Sequence, residues 1–320
     1  MILKTIVGRL CYKLFTLLIS MMYAVTPYQA PANDAPIAPT DPDKVQLYFA
    51  AIADPQVSNY LLKRVPAFDA VCEDLHNAAV PLDAVVMAGD IAENGLAIEY
   101  QYIYEKLGGL GCPYINAEGN HDIRLRIYQQ SLARFSAFSN ALNENDAFDS
   151  YHYSIVLNGY KFIVLGSDRT MFEESFLSDE QLAWLDSELA GERGHPTFVV
   201  LHQPLKNTHG LPDTWGSPID SAGSVGKQSD RINETLQKYD NVILITGHLH
   251  TGFGDYTYEE YGNIRMVNLP SLTVKNKDGG NNDSGIGCMV ECYENEIVFR
   301  ARNFQTGEWL PDYDWHIPVK

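Results

Sequence analysis

A series of side chains able to ligate metal stands just beyond short apolar runs of this chain. Asp54 and Gln56 follow Leu47 to Ala53, Asp90 follows Ala84 to Ala88, and Asn120 with His121 follows the weaker run Tyr114 to Ala117. His202 follows Phe198 to Leu201, and His248 with His250 follows Val242 to Ile245. Each alone has a plainer reading: an Asp after a strand is commonly a helix cap, and an isolated His is commonly a satisfied surface or core residue. Five such strand ends in one chain are hard to assign to caps, because ligands of open α/β sheets converge at the carboxyl ends of strands. Mixed nitrogen and oxygen donors suit Mn, Fe or Zn better than Ca. Glycines beside Asp90, Asn120 and His248 let the backbone turn sharply past a strand end.

Gly89-Asp90, Gly119-Asn120-His121-Asp122 and Gly247-His248-Leu249-His250, with Asp54 upstream and His202 between, resemble the signature of the calcineurin-like metallophosphoesterase superfamily. The resemblance runs from about Leu47 to Arg302. It implies an α/β fold, a four-layer α/β/β/α sandwich with two mixed sheets, whose loops hold two divalent metal ions. It further implies that Asp90 bridges both ions, that Asp54 and His250 complete one, and that Asn120, His202 and His248 complete the other. His121 matches the family's histidine that protonates the leaving oxygen or steadies the transition state. The chemistry is coherent: two cations roughly 3.5 to 4 Å apart can hold a bridging hydroxide as nucleophile and clamp the phosphoryl oxygens. One position departs from the family, whose first motif is commonly Asp-x-His, whereas this chain has Asp54-Pro55-Gln56. A neutral amide is a weaker and harder donor than imidazole, which shifts that site toward Mn, Mg or Fe, and the Asp-x-Gln form is similar to that of Mn-dependent members of the superfamily, which implies Mn as the favoured ion. The alternative is that Gln56 faces solvent and water completes the first ion.

Arg124, two residues past His121-Asp122, is placed to fork onto a phosphate oxygen, with a surface salt bridge as its plainer role. His209 and Trp215 lie in a long segment between the His202 run and a helix expected near Asp230 to Tyr239. Such loops are often functional, so both are candidates for substrate contact, with a plain surface loop as the alternative. The reading is a phosphate-ester hydrolase, with phosphodiesters favoured and small, possibly nucleotide, substrates. A phosphomonoesterase and a catalytically impaired surface binding protein are the alternatives.

The elements that must position these groups are visible in the pattern. Apolar runs of four to seven residues without alternation are strands buried on both faces. Ser178 and Gln181 form a capping-box signal, and Leu182, Leu185 and Leu189 follow at helical spacing. Residues from about Ile286 to Asn303 alternate, and are expected to close a second sheet. The fold is bounded to residues 44–304, with 33–43 a linker rich in Pro, Ala and Asp and 305–320 a tail. Residues 1–32 read as a signal peptide or membrane anchor: Lys4, Arg9 and Lys13 precede an apolar stretch, and the small-residue triplet Ala30-Pro31-Ala32 is a candidate cleavage site. Export, to the cell envelope or beyond, is therefore expected, with membrane contact only if the leader stays. The net charge of −18 repels duplex phosphate, so nucleic-acid binding is not expected. Cys288 and Cys292 would share one face of a strand, and pairing with Cys72 or Cys112 is left open.

Overall fold

The computed structural model describes residues 35–58, 63–191, 194–212 and 223–319. Residues 1–32, expected to be a signal peptide or anchor, and Trp215 lie outside them. In chain order the elements begin with β1 (Leu47–Ile52), α1 (Val65–His76), β2 (Ala84–Ala88), α2 (Ala97–Leu107) and β3 (Tyr114–Ala117). There follow α3 (Asn120–Ile123), α4 (Tyr128–Asn143), β4 (Tyr153–Leu157), β5 (Tyr160–Val164), α5 (Asp179–Leu189), β6 (Thr197–Val200), α6 (Ser229–Leu236) and β7 (Val242–Thr246). The chain continues with β8 (Tyr258–Tyr261), β9 (Ile264–Asn268), β10 (Ile286–Cys292), β11 (Glu296–Asn303), β12 (Glu308–Trp309) and β13 (Trp315–Pro318).

Two mixed sheets result. The first has the order β12-β11-β10-β1-β2-β3, with β13 also on β11; the second has the order β4-β5-β6-β7-β9-β8. β1, β2 and β3 run parallel, as do β5, β6, β7 and β9. Successive strand residues face opposite sides, so β1 serves two cores. Leu47, Phe49 and Ala51 join Phe162 and Phe198 between the sheets, where Phe49 meets both rings edge-on at 5.4 and 5.3 Å. Tyr48, Ala50 and Ile52 face Phe68 and Val71 of α1. On the far side, Ile163, Val199 and Leu244 pack on Leu182, Leu185 and Leu189 of α5 and on Ile232 and Leu236 of α6. Helix, sheet, sheet and helix are thus the four layers expected. The Ser178 cap is formed, its Oγ accepting from the Gln181 amide at 3.2 Å.

Three expectations need correction. The alternating strands β10 and β11 do not close the second sheet; β10 pairs antiparallel with β1 and extends the first, covering the edge of β1 that β2 leaves open. Residues 35–43 are no loose linker. Ile37 is fully buried, Arg302 donates to the Ala35 carbonyl at 2.9 Å, and Arg300 donates to the Ala38 carbonyl at 3.1 Å. The segment beyond 304 is no tail, since β12 and β13 both pair with β11. The cysteine question also closes: all four described cysteines are free. Cys288 and Cys292 face the inter-sheet core while Cys72 and Cys112 sit in the outer core, on opposite sides of the first sheet.

Candidate metal centre

Because the strands of each sheet that carry the candidate residues run parallel, their carboxyl ends meet at one edge of the sandwich. Cross-links fix the meeting point. The Asp54 amide donates to the Gly89 carbonyl at 3.1 Å, the Gln56 amide to the Asp90 carbonyl at 2.8 Å, and the Gly247 amide to the His202 carbonyl at 2.8 Å. Glycine is required for more than turning. A Cβ on Gly119 would lie 2.2 Å from Asp90 Oδ1 and 2.3 Å from the Asp90 amide nitrogen. Gly89, at φ +87°, has the His202 ring in the same relation at 2.5 Å. Asp54, Gln56, Asp90, His248 and His250 themselves have φ between +39° and +74°. Left-handed backbone at non-glycine residues is costly and gathers at functional sites.

The side chains brought together form two groups, Asp90 with His202 and His248, and Asp54 with Asp90 and His250, the ligand atoms within 4.8 Å of one another. Asp90 belongs to both. His202 Nε2 lies 3.3 Å from Asp90 Oδ1 and 3.9 Å from Asp54 Oδ1, and His250 Nε2 lies 3.1 Å from Asp54 Oδ1. His202 Nδ1 lies 2.8 Å from the Ala88 carbonyl, which takes the N–H and leaves Nε2 to the carboxylates. Burial opposes the charge of Asp90, but His202, then His121 and His248, hold its carboxyl well below the usual range. Burial likewise opposes the protonation of His202, yet Asp90 and Asp54 push it up to about 10. Burial first, and His202 next, keep His248 well below its usual value.

The two amides among the candidates fit a metal centre. Gln56 is buried, not turned to solvent; its Nε2 donates to Asp90 Oδ2 at 3.3 Å. Asn120 is buried too, and its Nδ2 donates to Glu173 at 2.9 Å. In both, the carbonyl oxygen is buried and finds no hydrogen-bond partner among the described residues. Unmatched buried acceptors are unfavourable, and a hard cation is the partner that amide oxygens and carboxylates accept together. Gln56 would add to the Asp54 and His250 group, and Asn120 to the His202 and His248 group.

Two candidates flank the centre. His121 Nε2 is 3.9 Å from Asp90 Oδ2, and its backbone N–H donates to Asp90 Oδ1 at 2.8 Å. Its Nδ1 lies 2.9 Å from the Glu93 carbonyl and 3.0 Å from Arg124 Nη2. Those contacts ask for opposite proton placements, an N–H toward Glu93 or a lone pair toward Arg124. Arg124 also pairs with Glu173 at 3.1 Å, so its salt bridge and its place at the site coexist. His209 is buried, its amide donating to Glu259 at 2.6 Å and its Nδ1 2.9 Å from the Tyr256 carbonyl. Burial lowers it to about 4. Its described bonds run to the β8 side of the second sheet, not to the metal-binding groups.

Sequence reasoning missed four carboxylates. Asp122 accepts the Ile91, Ala92 and Gly119 amides at 3.1, 2.9 and 2.9 Å, clamping the segment after Asp90 to the segment before Asn120. Burial and then Asp90 push its carboxyl up to about 7 against those amides. Glu93 Oε2 lies 3.5 Å from His121 Nδ1, Glu173 holds Asn120 and Arg124, and Glu118 accepts the Ser167 amide at 2.6 Å. Only Asp122 and Glu118 carried a signal, as neighbours of Gly119-Asn120-His121.

Known proteins give the arrangement a context. The chain is 24% identical over 226 residues to a probable cyclic nucleotide phosphodiesterase of Psychrobacter sp. (strain PRwf-1), a match covering 70% of this chain and 61% of the relative. It is 26% identical over 179 residues to a probable glycerophosphodiester phosphodiesterase of Arcobacter nitrofigilis, covering 55% of this chain and 59% of the relative. The chain thus spans about three fifths of the length of each of these relatives. In structure, a dimetal phosphatase from Danio rerio superposes with a TM-score of 0.61 at 16% identity, covering 86% of this chain and all of the other, which is a likeness of fold. Residues 47–252, from β1 to just past His250, match the calcineurin-like phosphoesterase model, and the chain belongs to that family.

Proposed function

We propose that this protein is a metal-dependent phosphodiesterase acting on small phosphodiesters, nucleotide or glycerol esters among them, with two divalent ions held around Asp90. The observation that carries the reading is the sharing of Asp90 between two ligand groups directly beside His121 and Arg124. Relatives named as cyclic nucleotide and glycerophosphodiester phosphodiesterases support the diester part. When bound, the ions supply Lewis acidity toward the phosphoryl oxygens and activate a water for in-line attack. The chain supplies the rest. Arg124 turns its fork to a phosphate oxygen, and in doing so releases His121 Nδ1 to donate to the Glu93 carbonyl. That orients His121 Nε2 toward the leaving oxygen, to which a protonated ring gives its proton. The oxygen donors Gln56 and Asn120 favour Mn in the centre. We also propose export, with residues 1–32 removed.

Hydrolysis of bis-p-nitrophenyl phosphate and of p-nitrophenyl phosphate by metal-stripped protein, resupplied with Mn, tests the reading. Mn-dependent cleavage of the diester in preference to the monoester is expected. Preference for the monoester would replace the diesterase by a phosphatase, and turnover unaffected by stripping would remove the metals from the account.

A further inference from the structure

Glu173, on the loop between β5 and α5, touches both a ligand residue and the arginine beside the centre. One carboxylate oxygen accepts from Asn120 Nδ2 at 2.9 Å and the other pairs with Arg124 Nη1 at 3.1 Å. The loop is anchored there: the Glu173 carbonyl accepts from Gln203 Nε2 at 2.9 Å, and Gln203 Oε1 accepts from Ser175 Oγ at 2.6 Å. Glu173 therefore stands at the rim where a phosphate drawn to Arg124 and to the centre must arrive. Resting on the phosphodiesterase reading, we propose that Glu173 determines specificity by charge, disfavouring dianionic phosphate groups relative to monoanionic diesters.

The reasoning is electrostatic. At slightly alkaline pH a phosphomonoester or inorganic phosphate carries close to two negative charges, while a diester carries one. Arg124 cannot offer its whole charge to either, because Glu173 already holds part of it. Once Arg124 turns to the phosphate, the Glu173 carboxylate is left as a fixed negative charge close to the incoming anion, and its repulsion scales with the anion's charge. Side-chain exposures of 24% for Arg124 and 33% for Glu173 mean partial screening by solvent. We therefore take about threefold in affinity per unit charge, and the square of that, about tenfold, for a dianion. A brace that merely held Asn120 would show no such square. The carboxylate is also more than that contact requires, since an amide oxygen would accept from Asn120 equally well.

The test uses metal-loaded protein at pH 8, wild type and Glu173→Gln, with inorganic phosphate and dimethyl phosphate as probes in calorimetric titrations and metal content measured alongside. Glu173→Gln keeps an oxygen for Asn120 Nδ2 and removes the charge. We expect an unchanged metal complement, phosphate bound about tenfold tighter and dimethyl phosphate about threefold tighter. The ratio of p-nitrophenyl phosphate to bis-p-nitrophenyl phosphate hydrolysis should rise about threefold. Glu173→Asp, which keeps the charge, should retain the wild-type preference between the anions. Equal changes for both anions, no change, or loss of metal in Glu173→Gln would overturn the inference and leave Glu173 a brace. If wild type cleaves neither ester yet the charge-squared signature appears, the phosphodiesterase reading fails and the inference stands. A wild-type diesterase without that signature keeps the reading and loses the inference.

Discussion

Adding one methyl group at Gly119 should disable the centre while leaving the sandwich folded. The backbone there, at φ −125°, suits any residue, so an alanine meets only a steric obstacle. Its Cβ would lie 2.2 Å from Asp90 Oδ1 and 2.3 Å from the Asp90 amide nitrogen, against an ordinary contact of at least 3.4 Å. Rotating the carboxylate clears the first clash but not the second, which is with backbone. The Asn120 segment and the Asp90 turn must therefore separate by 3.4 − 2.3 = 1.1 Å. That movement breaks the hydrogen bond from the His121 amide to Asp90 Oδ1 and draws Asn120 away from the other ligands. Overpacking of this kind costs about 1 to 3 kcal/mol of stability. A displacement near 1 Å at reacting groups costs about a hundredfold in rate. The assay is kcat/KM on a diester, with metal content and urea denaturation beside it. Gly194→Ala serves as control, since a Cβ there meets nothing within 4 Å, and it should change stability by less than about 0.5 kcal/mol. A Gly119→Ala protein within threefold of wild-type activity would refute the close-approach argument.

Other outcomes follow from the same geometry. Asp90→Asn keeps the side-chain shape but removes the charge common to both ligand groups, so metal content should fall at both and the rate should drop at least about a thousandfold with circular dichroism unchanged; retention of both ions would exclude the shared role. His209, lowered by burial from 6.5 to about 4, binds its proton more readily in the unfolded chain, so its contribution is complete above pH 6.5 and is lost as pH falls toward 4. The loss amounts to about 3 kcal/mol, so the difference in unfolding free energy between pH 7 and pH 4, from urea denaturation, should be smaller by about that much in His209→Gln than in wild type. Asp74→Asn removes the counter-charge of the fully buried Arg302, whose guanidinium binds both Asp74 oxygens at 2.6 and 2.8 Å, and should cost about 3 to 5 kcal/mol in the same denaturation assay.

What could be read from the sequence was what is local. Leu47 to Ala53 or Val242 to Ile245 announces a strand buried on both faces because no polar residue interrupts it, and the ligand stands at its end because parallel strands deliver side chains there. Where two distant segments meet leaves no such mark. The alternation of β10 and β11 identified strands but not their sheet, since that depends on the free edge of β1, some 240 residues earlier. Residues 35–43 have a linker's composition, and are held by Arg300 and Arg302, more than 260 residues away. Glu173 is 53 residues from Asn120, in a loop with no periodicity to announce it.

The ligands and their supports consequently obey different rules. A candidate metal ligand needs a donor atom, an end of a strand and a small neighbour, and Gly89-Asp90 or Gly247-His248 shows all three in two letters. A supporting carboxylate needs only proximity, which the tertiary fold confers. Supports are where members of one fold can diverge without disturbing the core, because Glu93 and Glu173 lie on loops outside the apolar clusters that hold the sheets together. If substrate choice resides in such residues, then the common architecture fixes the chemistry around Asp90 while the loop carrying Glu173 tunes which phosphate ester reaches it.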